Sequence, residues 1–309
     1  MINRVVLVWR RSRHDELLRT ALTESRARFE LERAGDSIER YRREHHAYQQ
    51  ALASIRAQLP IDLAATMVER DDLPHTLFRD SDVIIVCGPD GLFVNLAQYL
   101  GDQPVITVNP DPATVAGVLM LHAPAAVQNM LADVLAGRHR VEHLPLACAS
   151  LDGRPVLWGI NDIFLGRPDQ VSARYQISFA GHSEAQSSSG VIVATGIGSS
   201  GWMQAVRSQL HGMLGATALH ALPPLPAPSD AELAFVVREP FVSPATHATI
   251  VAGRVTQRQP LLLRSEMPAD GCLFSDGVVE RAVRWPAGST VTVSLGERRI
   301  ARVVAATHR

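Results

Sequence analysis

The sequence predicts a chain of mixed class, α/β plus all-β. A doubly wound parallel α/β domain is expected over residues 1–140, and a β-rich domain of antiparallel, sandwich-like character over 141–309. In the first part, short continuous apolar runs (Val5 to Trp9, Val83 to Cys87, Val105 to Val108) alternate with segments of helical spacing, as buried parallel strands and their crossover helices do. In the second part, short strand-like runs are separated by Gly, Pro, Asp and Ser, and Gly201 to Leu214 alone reads as a helix. The last strand is a candidate to return to the N-terminal domain.

Val5 to Trp9 reads as the first strand. From His14 to Leu59 apolar and charged residues recur at helical spacing, with a break at Ala34-Gly35-Asp36-Ser37, where Asp or Ser can cap a second helix. The Glu/Arg-rich stretch Ile38 to Glu44 is most simply a solvated helix face. Gly91 to Leu100 connects the strands Val83–Cys87 and Val105–Val108 as a helix, and Ala123 to Ala136 supplies another, closed by Gly137, whose residue type suits a left-handed C-cap. The predicted strands of the second part are 155–165, 171–180, 190–195, 233–238, 248–255, 260–264, 278–285 and 290–295. The proline-rich run Ala221 to Asp230 cannot continue the preceding helix and reads as a stiff surface connection.

Composition narrows the function classes. The chain has 309 residues, 46% hydrophobic and 20% charged, with a formal net charge of −1. That balance gives no global reason to bind nucleic acid or an anionic membrane, so any phosphate recognition must be local. No apolar run approaches the roughly 20 residues a bilayer span needs, and Met1 to Trp9 lacks a cleavage-site pattern, so no signal peptide is read. The three cysteines, Cys87, Cys148 and Cys272, lie far apart, and buried thiols of a cytoplasmic protein are expected. No protein metal site is expected: His139 and His143 have an i,i+4 spacing but no third ligand nearby. Ser199 and Ser200 lack the Gly-x-Ser-x-Gly setting of a hydrolase nucleophile.

The chemistry-bearing segments begin with Cys87-Gly88-Pro89-Asp90-Gly91-Leu92. A strand here runs into a glycine-flanked aspartate at the start of a helix, where outward-turned amides favour phosphate ligands. Asn109-Pro110-Asp111 follows the next strand, with contact to a ligand or plain turn capping as its two readings. Asn161-Asp162-Ile-Phe, Thr195-Gly196-Ile-Gly198-Ser199-Ser200-Gly201-Trp202 and Ser275-Asp276-Gly277 complete the set. The Thr195 loop leaves a strand and opens a helix, so its amides and hydroxyls can converge on an anion.

In this order and at these intervals the segments resemble the NAD kinase family, with its Gly-Gly-Asp-Gly-Thr loop, Asn-Glu pair and Thr-Gly-rich second loop, over roughly residues 80–300. The likeness is greatest to the mitochondrial-type branch, through Asn161-Asp162-Ile-Phe-Leu-Gly, Ser172-Ala-Arg174-Tyr175, Ser188-Ser189-Gly190 and Arg238-Glu239-Pro240. The resemblance implies transfer of a phosphoryl group from ATP or polyphosphate, with Mg²⁺, to the 2′-hydroxyl of the adenosine ribose of NAD. Asp90 would be the base, and Gly88 and Gly91 would let the backbone approach phosphates. Asn161 and Asp162 would hold the adenosine. Thr195, Gly196, Gly198 and Ser199 would serve nucleotide phosphates, Ser200 and Trp202 would lie near the acceptor, and Asn109 would contact NAD. A homodimer is implied, with NAD and ATP as its small-molecule partners and neither nucleic acid nor membrane. Pro89 and Leu92 depart from the family loop, removing one N–H donor and one hydroxyl. The alternatives are therefore a catalytically degenerate nucleotide-binding relative, or a related kinase acting on another acceptor.

Overall fold

A computed structural model describes residues 2–115, 117–215 and 224–305. It divides into two compact units, one of Met1–Glu142 with Ile300–Arg309 and the other of His143–Arg299.

The first unit is a parallel sheet with helices. Its strands are β1 (Arg4–Trp9), β2 (Ala64–Glu69), β3 (Asp82–Cys87) and β4 (Pro104–Val108), and the end of the last strand of the chain lies beside β4. The order is β2-β1-β3-β4, every neighbour parallel. Alternation decides the faces. Val5, Leu7, Val83, Ile85, Ile106 and Val108 point to one side, against Tyr48, Ala51, Leu52 and Ile55 of α3 (Ile38–Ala57) and Val127, Leu131 and Val134 of α5 (Val127–Leu135). Val6, Val8, Ile84 and Val86 point to the other side and are equally buried. Burial on both faces explains why these strands read as unbroken apolar runs.

The stretch 14–59 holds three helices, α1 (Arg13–Ala21), α2 (Glu24–Arg33) and α3. The break at residues 34–37 is present, with Ser37 capping α3. The earlier break falls at Leu22, in the left-handed region at φ 64°, before Thr23, which caps α2. Sequence reading missed it because Leu is not a residue expected there. Strand β2 was also missed, since four of its six side chains are exposed. α4 spans Asp90–Ala97, and Gly137, at φ +68°, follows α5.

The second unit is antiparallel. One sheet pairs β8 (Ala173–Phe179) with β9 (His182–Ser188) and β13 (Leu261–Ser265), and β13 with β16 (Thr290–Val304), whose last residues belong to the first unit. β5 (Arg140–Leu151) pairs with β6 (Arg154–Gly159). The other sheet runs β12 (Ala252–Val255), β11 (Leu233–Val237), β10 (Val191–Ala194), β7 (Asp162–Gly166), β14 (Cys272–Ser275), β15 (Val283–Arg284). Ile163, Leu165, Val191 and Val193 meet Tyr175, Ile177, Leu261, Leu263, Val291 and Val293 in a sandwich core. The alternate residues Phe164, Ile192, Ala194 and Phe274 pack instead with Met203 of α6 (Trp202–Leu214).

Several sequence expectations are corrected here. The predicted strand 155–165 is two strands, because Ile160 and Asn161 turn between β6 and β7. The predicted strand 278–285 is a 3₁₀ turn at Val279–Arg281 followed by the two-residue β15. β5, β9 and β14 had not been expected. β9, His-Ser-Glu-Ala-Gln-Ser-Ser, lacks β-branched and aromatic residues, and its pairing with β8 supplies what local propensity does not. His139 and His143 do not share a helix, since β5 begins at Arg140. Of the proline-rich connection, residues 221–223 lie outside the described residues.

Candidate nucleotide site

In the first unit β3 ends at Cys87, and Pro89 is the N-cap of α4 without a side-chain capping bond. The carboxylate of Asp90, the first helical residue, is held by the loop at residues 117–120. Oδ2 accepts the N–H of Val118 at 3.1 Å, and Oδ1 accepts those of Leu119 and Met120 at 3.1 and 3.2 Å. A carboxylate offers about four lone-pair sites. Three are occupied, so Asp90 is fixed in orientation and keeps one acceptor position.

Leu92 is fully buried, and a Cβ at Gly88 would lie 2.8 Å from its Cδ2. The side chain that replaces the family threonine is therefore part of the core, and a hydroxyl there would meet apolar surroundings. Gly91 has open space where a Cβ would stand. Asn109 is engaged at both ends of its amide: Nδ2 donates to Val115 O at 2.7 Å, and Oδ1 accepts from Asp111 N at 3.0 Å. It caps the loop that follows β4.

Beside Gly88, Pro89, Asn109 and Asp111 lies a cavity of about 350 Å³ whose other wall carries Arg10, Arg11, Arg13 and Tyr48. Arg11 is near Glu69 and Asp71, and Arg13 pairs with Glu44. Arg10 has no carboxylate partner among the described residues; its Nε donates to Arg11 O at 3.0 Å. Tyr48 locks this wall to β3, its hydroxyl accepting from Arg10 N at 3.0 Å and donating to Cys87 O at 2.9 Å. Sequence reading did not find this wall. Arg10 and Tyr48 are 38 residues apart, and Arg10-Arg11-Ser-Arg13 resembles any exposed basic run.

In the second unit Asn161 and Asp162 sit at the turn between β6 and β7. The carboxylate of Asp276, in the Ser275-Asp276-Gly277 segment after β14, accepts the backbone N–H groups of Ile160, Asn161 and Asp162 at 3.2, 2.7 and 3.3 Å. Asp276 N donates back to Asp162 O at 3.0 Å. The turn is thus built by Asp276, which sequence reading singled out as a motif residue without giving it a role. Asp162 follows the period of β7 onto the face of Phe164 and is only 6% exposed. Neither its carboxylate nor the Asn161 side-chain amide has a hydrogen-bond partner among the described residues. Burial pushes Asp162 up to about 6. Burial likewise raises Asp276 to about 7, with its three amide bonds acting against the rise and the Asp162 charge adding to it.

The Thr195 loop is closed on itself. Thr195 Oγ1 donates to Ile160 O and accepts from Gly198 N at 3.2 Å. Ser199 Oγ is 3.2 Å from Thr195 O and from Pro226 O, and Ser200 Oγ donates to Ile197 O at 3.2 Å. A Cβ on Gly196 would fall 1.7 Å from Ala227 O, and one on Gly198 1.9 Å from Asn161 O, so both glycines are required by close backbone approach within the chain. Ser200 is exposed. The Trp202 ring stacks with Phe164 at 5.6 Å and carries the Arg238 guanidinium 5.2 Å from its centroid. Two of the motif segments are structural: Tyr175 Oη lies 2.6 Å from Ser188 Oγ inside the sandwich.

No family model and no curated protein matches the sequence. Solved structures do match the fold. Over 99% of this chain and 84% of the other, it is similar to yeast NADH kinase complexed with NADH, with a TM-score of 0.57 and 13% identity. Over 97% of this chain and 93% of the other, it is similar to an NAD kinase from Archaeoglobus fulgidus in complex with ATP, with a TM-score of 0.56 and 16% identity. The chain has the two-part fold of the NAD kinases.

Proposed function

We propose that the chain is a phosphotransferase of the NAD kinase type, carrying a phosphoryl group from ATP or polyphosphate to the 2′-hydroxyl of the adenosine ribose of NAD. The observation that carries this reading is the Asn161–Asp162 turn on a fold shared with kinases of NAD(H): a rigid turn whose amide and buried carboxylate are left unpaired. An unpaired buried carboxylate costs free energy unless a donor reaches it. The amino group of adenine and the hydroxyls of ribose are donors of the right kind, and the Asn161 amide can both give and accept.

The remaining parts divide the chemistry. The ribose oxygen forms the new bond to phosphorus while the bond from the γ-phosphorus to its bridging oxygen breaks, ADP leaves, and the hydroxyl proton passes to the open acceptor position of Asp90. Gly88 lines the cavity, Gly91 has open space where a Cβ would stand, and Arg10 supplies a cation for the phosphates at the cavity wall. Asp111 at the cavity would be the carboxylate to hold Mg²⁺ beside the triphosphate oxygens, an oxygen donor of the kind that ion takes. Mg²⁺ supplies charge neutralisation on those oxygens. Ser200 and Trp202 would lie toward the acceptor, and a cytoplasmic homodimer is the expected assembly.

A second reading, a nucleotide-binding relative without catalysis, is favoured by one observation: Pro89 has no N–H to give, and Leu92 has turned the loop's hydroxyl position into core. Incubation with NAD, Mg²⁺ and ATP or polyphosphate, read through a strictly NADP-dependent dehydrogenase, separates the two. NADP formation is expected. Binding of NAD without NADP from either donor would establish the second reading, and no binding of NAD or NADP at millimolar concentration would defeat both.

A further inference from the structure

We infer that His14, Asp15 and His45 form a binding site for a divalent transition metal of the Zn²⁺ class, clamping α1 to α3. His14 and Asp15 lie in the first turn of α1 and His45 lies on α3. One ring nitrogen from each histidine and one carboxylate oxygen lie within 4.8 Å of one another. The rings are 5.2 Å apart between centroids. Ligands of a tetrahedral zinc, at about 2.0–2.1 Å from the metal, stand roughly 3.3 Å apart, so small side-chain rotations close the set.

The surroundings of His14 favour a metal partner. Both of its ring nitrogens are hidden from solvent and neither has a hydrogen-bond partner. A hidden imidazole with no partner forfeits the bond it would make in water, and a metal would supply one. The other two groups are already positioned. Ser12 Oγ lies 2.8 Å from His45 Nδ1 and donates to Asp15 Oδ2 at 2.9 Å, an outer hydroxyl orienting two ligands as it would in a metal centre. The charges nearby are neutralised in pairs, Arg13 with Glu44 and Arg19 with Glu16, so Asp15 is left as the acidic group of the cluster. Two imidazoles and one carboxylate select Zn²⁺, Co²⁺ or Ni²⁺ over Mg²⁺ or Ca²⁺, with a fourth position for water.

The clamp has a structural purpose. The apolar contact holding α1 and α2 to the start of α3 is a separate small cluster built on Ala21, Ala27, Leu31 and Ile38. Ser12, Arg13 and Glu44, adjacent to the ligands, also line the arginine-walled cavity, so metal occupancy would fix the position of that wall.

The test is titration of the full chain, without nucleotide, by Co²⁺ and then Zn²⁺. One equivalent of Co²⁺ is expected to bind with visible d–d absorption and to be displaced by Zn²⁺, and Zn²⁺ should raise Tm. In His14→Gln and His45→Gln the affinity should fall at least about 100-fold, beyond the effect of losing an outer-shell partner, and the Tm rise should vanish, whereas His139→Gln should behave as wild type. Equal binding in the two variants, or no binding below millimolar concentration, overturns the proposal. Should a variant fail to fold, Co²⁺ broadening of wild-type backbone NMR signals decides: it must centre on residues 12–16 and 44–48, and broadening centred elsewhere overturns the site.

Discussion

On the proposed reading, the surroundings of Asp90 and Asp162 suit the same functional group to two tasks. Three amides hold the Asp90 carboxylate and leave one acceptor position, which suits a base that must be ionised and correctly turned before a hydroxyl arrives. Asp90→Asn keeps the shape but cannot take the proton, so turnover should fall by at least about 10²-fold with NAD affinity within a few-fold. Near-normal turnover in steady-state assays would remove Asp90 from the role of base. Asp162 has the opposite surroundings, deep burial with no hydrogen-bond donor among the described residues, and on the proposed reading its donor comes with the ligand. For its neighbour, Asn161→Ala should weaken NAD by roughly 1–3 kcal/mol in calorimetry, because the polar groups of the bound adenosine would lose their partner. Unchanged affinity would move the adenosine elsewhere.

The element that most alters the sequence reading is the loop from β3 into α4. Against the family loop, Pro89 and Leu92 stand as two losses, one N–H and one hydroxyl. The structure separates them. Pro89 stands at the helix N-cap, where a glycine restores an N–H, whereas Leu92 is fully buried, where a threonine buries a hydroxyl and removes packing. Pro89→Gly alone should raise rate or ATP affinity with little change in stability. Leu92→Thr should lower stability by about 2–4 kcal/mol without a kinetic gain. A kinetic gain from Leu92→Thr in a folded protein would show that the side chain can reach the phosphates. The same loop shows what was legible. Continuous apolar runs identified β1, β3 and β4, and the glycine-flanked Asp90 marked the passage from β3 into α4. The buried fate of Leu92 and the amides on Asp90 and Asp276 were not legible, because each depends on a partner at least 28 residues away or on burial that no local pattern encodes.

At the scale of the whole molecule, the buried carboxylates of the second unit set the pH response of folding. Burial raises Asp162 to about 6 and Asp276 to about 7, so the folded chain keeps protons that the unfolded chain releases near pH 4. Between about pH 4 and 7 the unfolded state then binds fewer protons than the native one, and stability falls as pH rises. Asp82, whose burial is outweighed by Arg4 so that it is held down, and Glu184, whose burial is outweighed by its amide and hydroxyl donors so that it is lowered to about 2, act in the opposite sense and withdraw stability below about pH 4. The net expectation is a maximum on the mildly acidic side, and difference curves isolate one group within it. Asp162→Asn cannot ionise, so against wild type it should be near parity at about pH 3.5 and more stable by about 1–3 kcal/mol at about pH 7.5, read by denaturant unfolding at both values. Ligand binding must run the other way: donors from NAD favour the ionised carboxylate, so wild-type affinity should tighten from pH 5 to 7, and Asp162→Asn should bind weakly with little pH dependence. A stability difference that does not change with pH would mean that Asp162 is ionised in the free protein, and an affinity that does not tighten would mean that NAD does not use it.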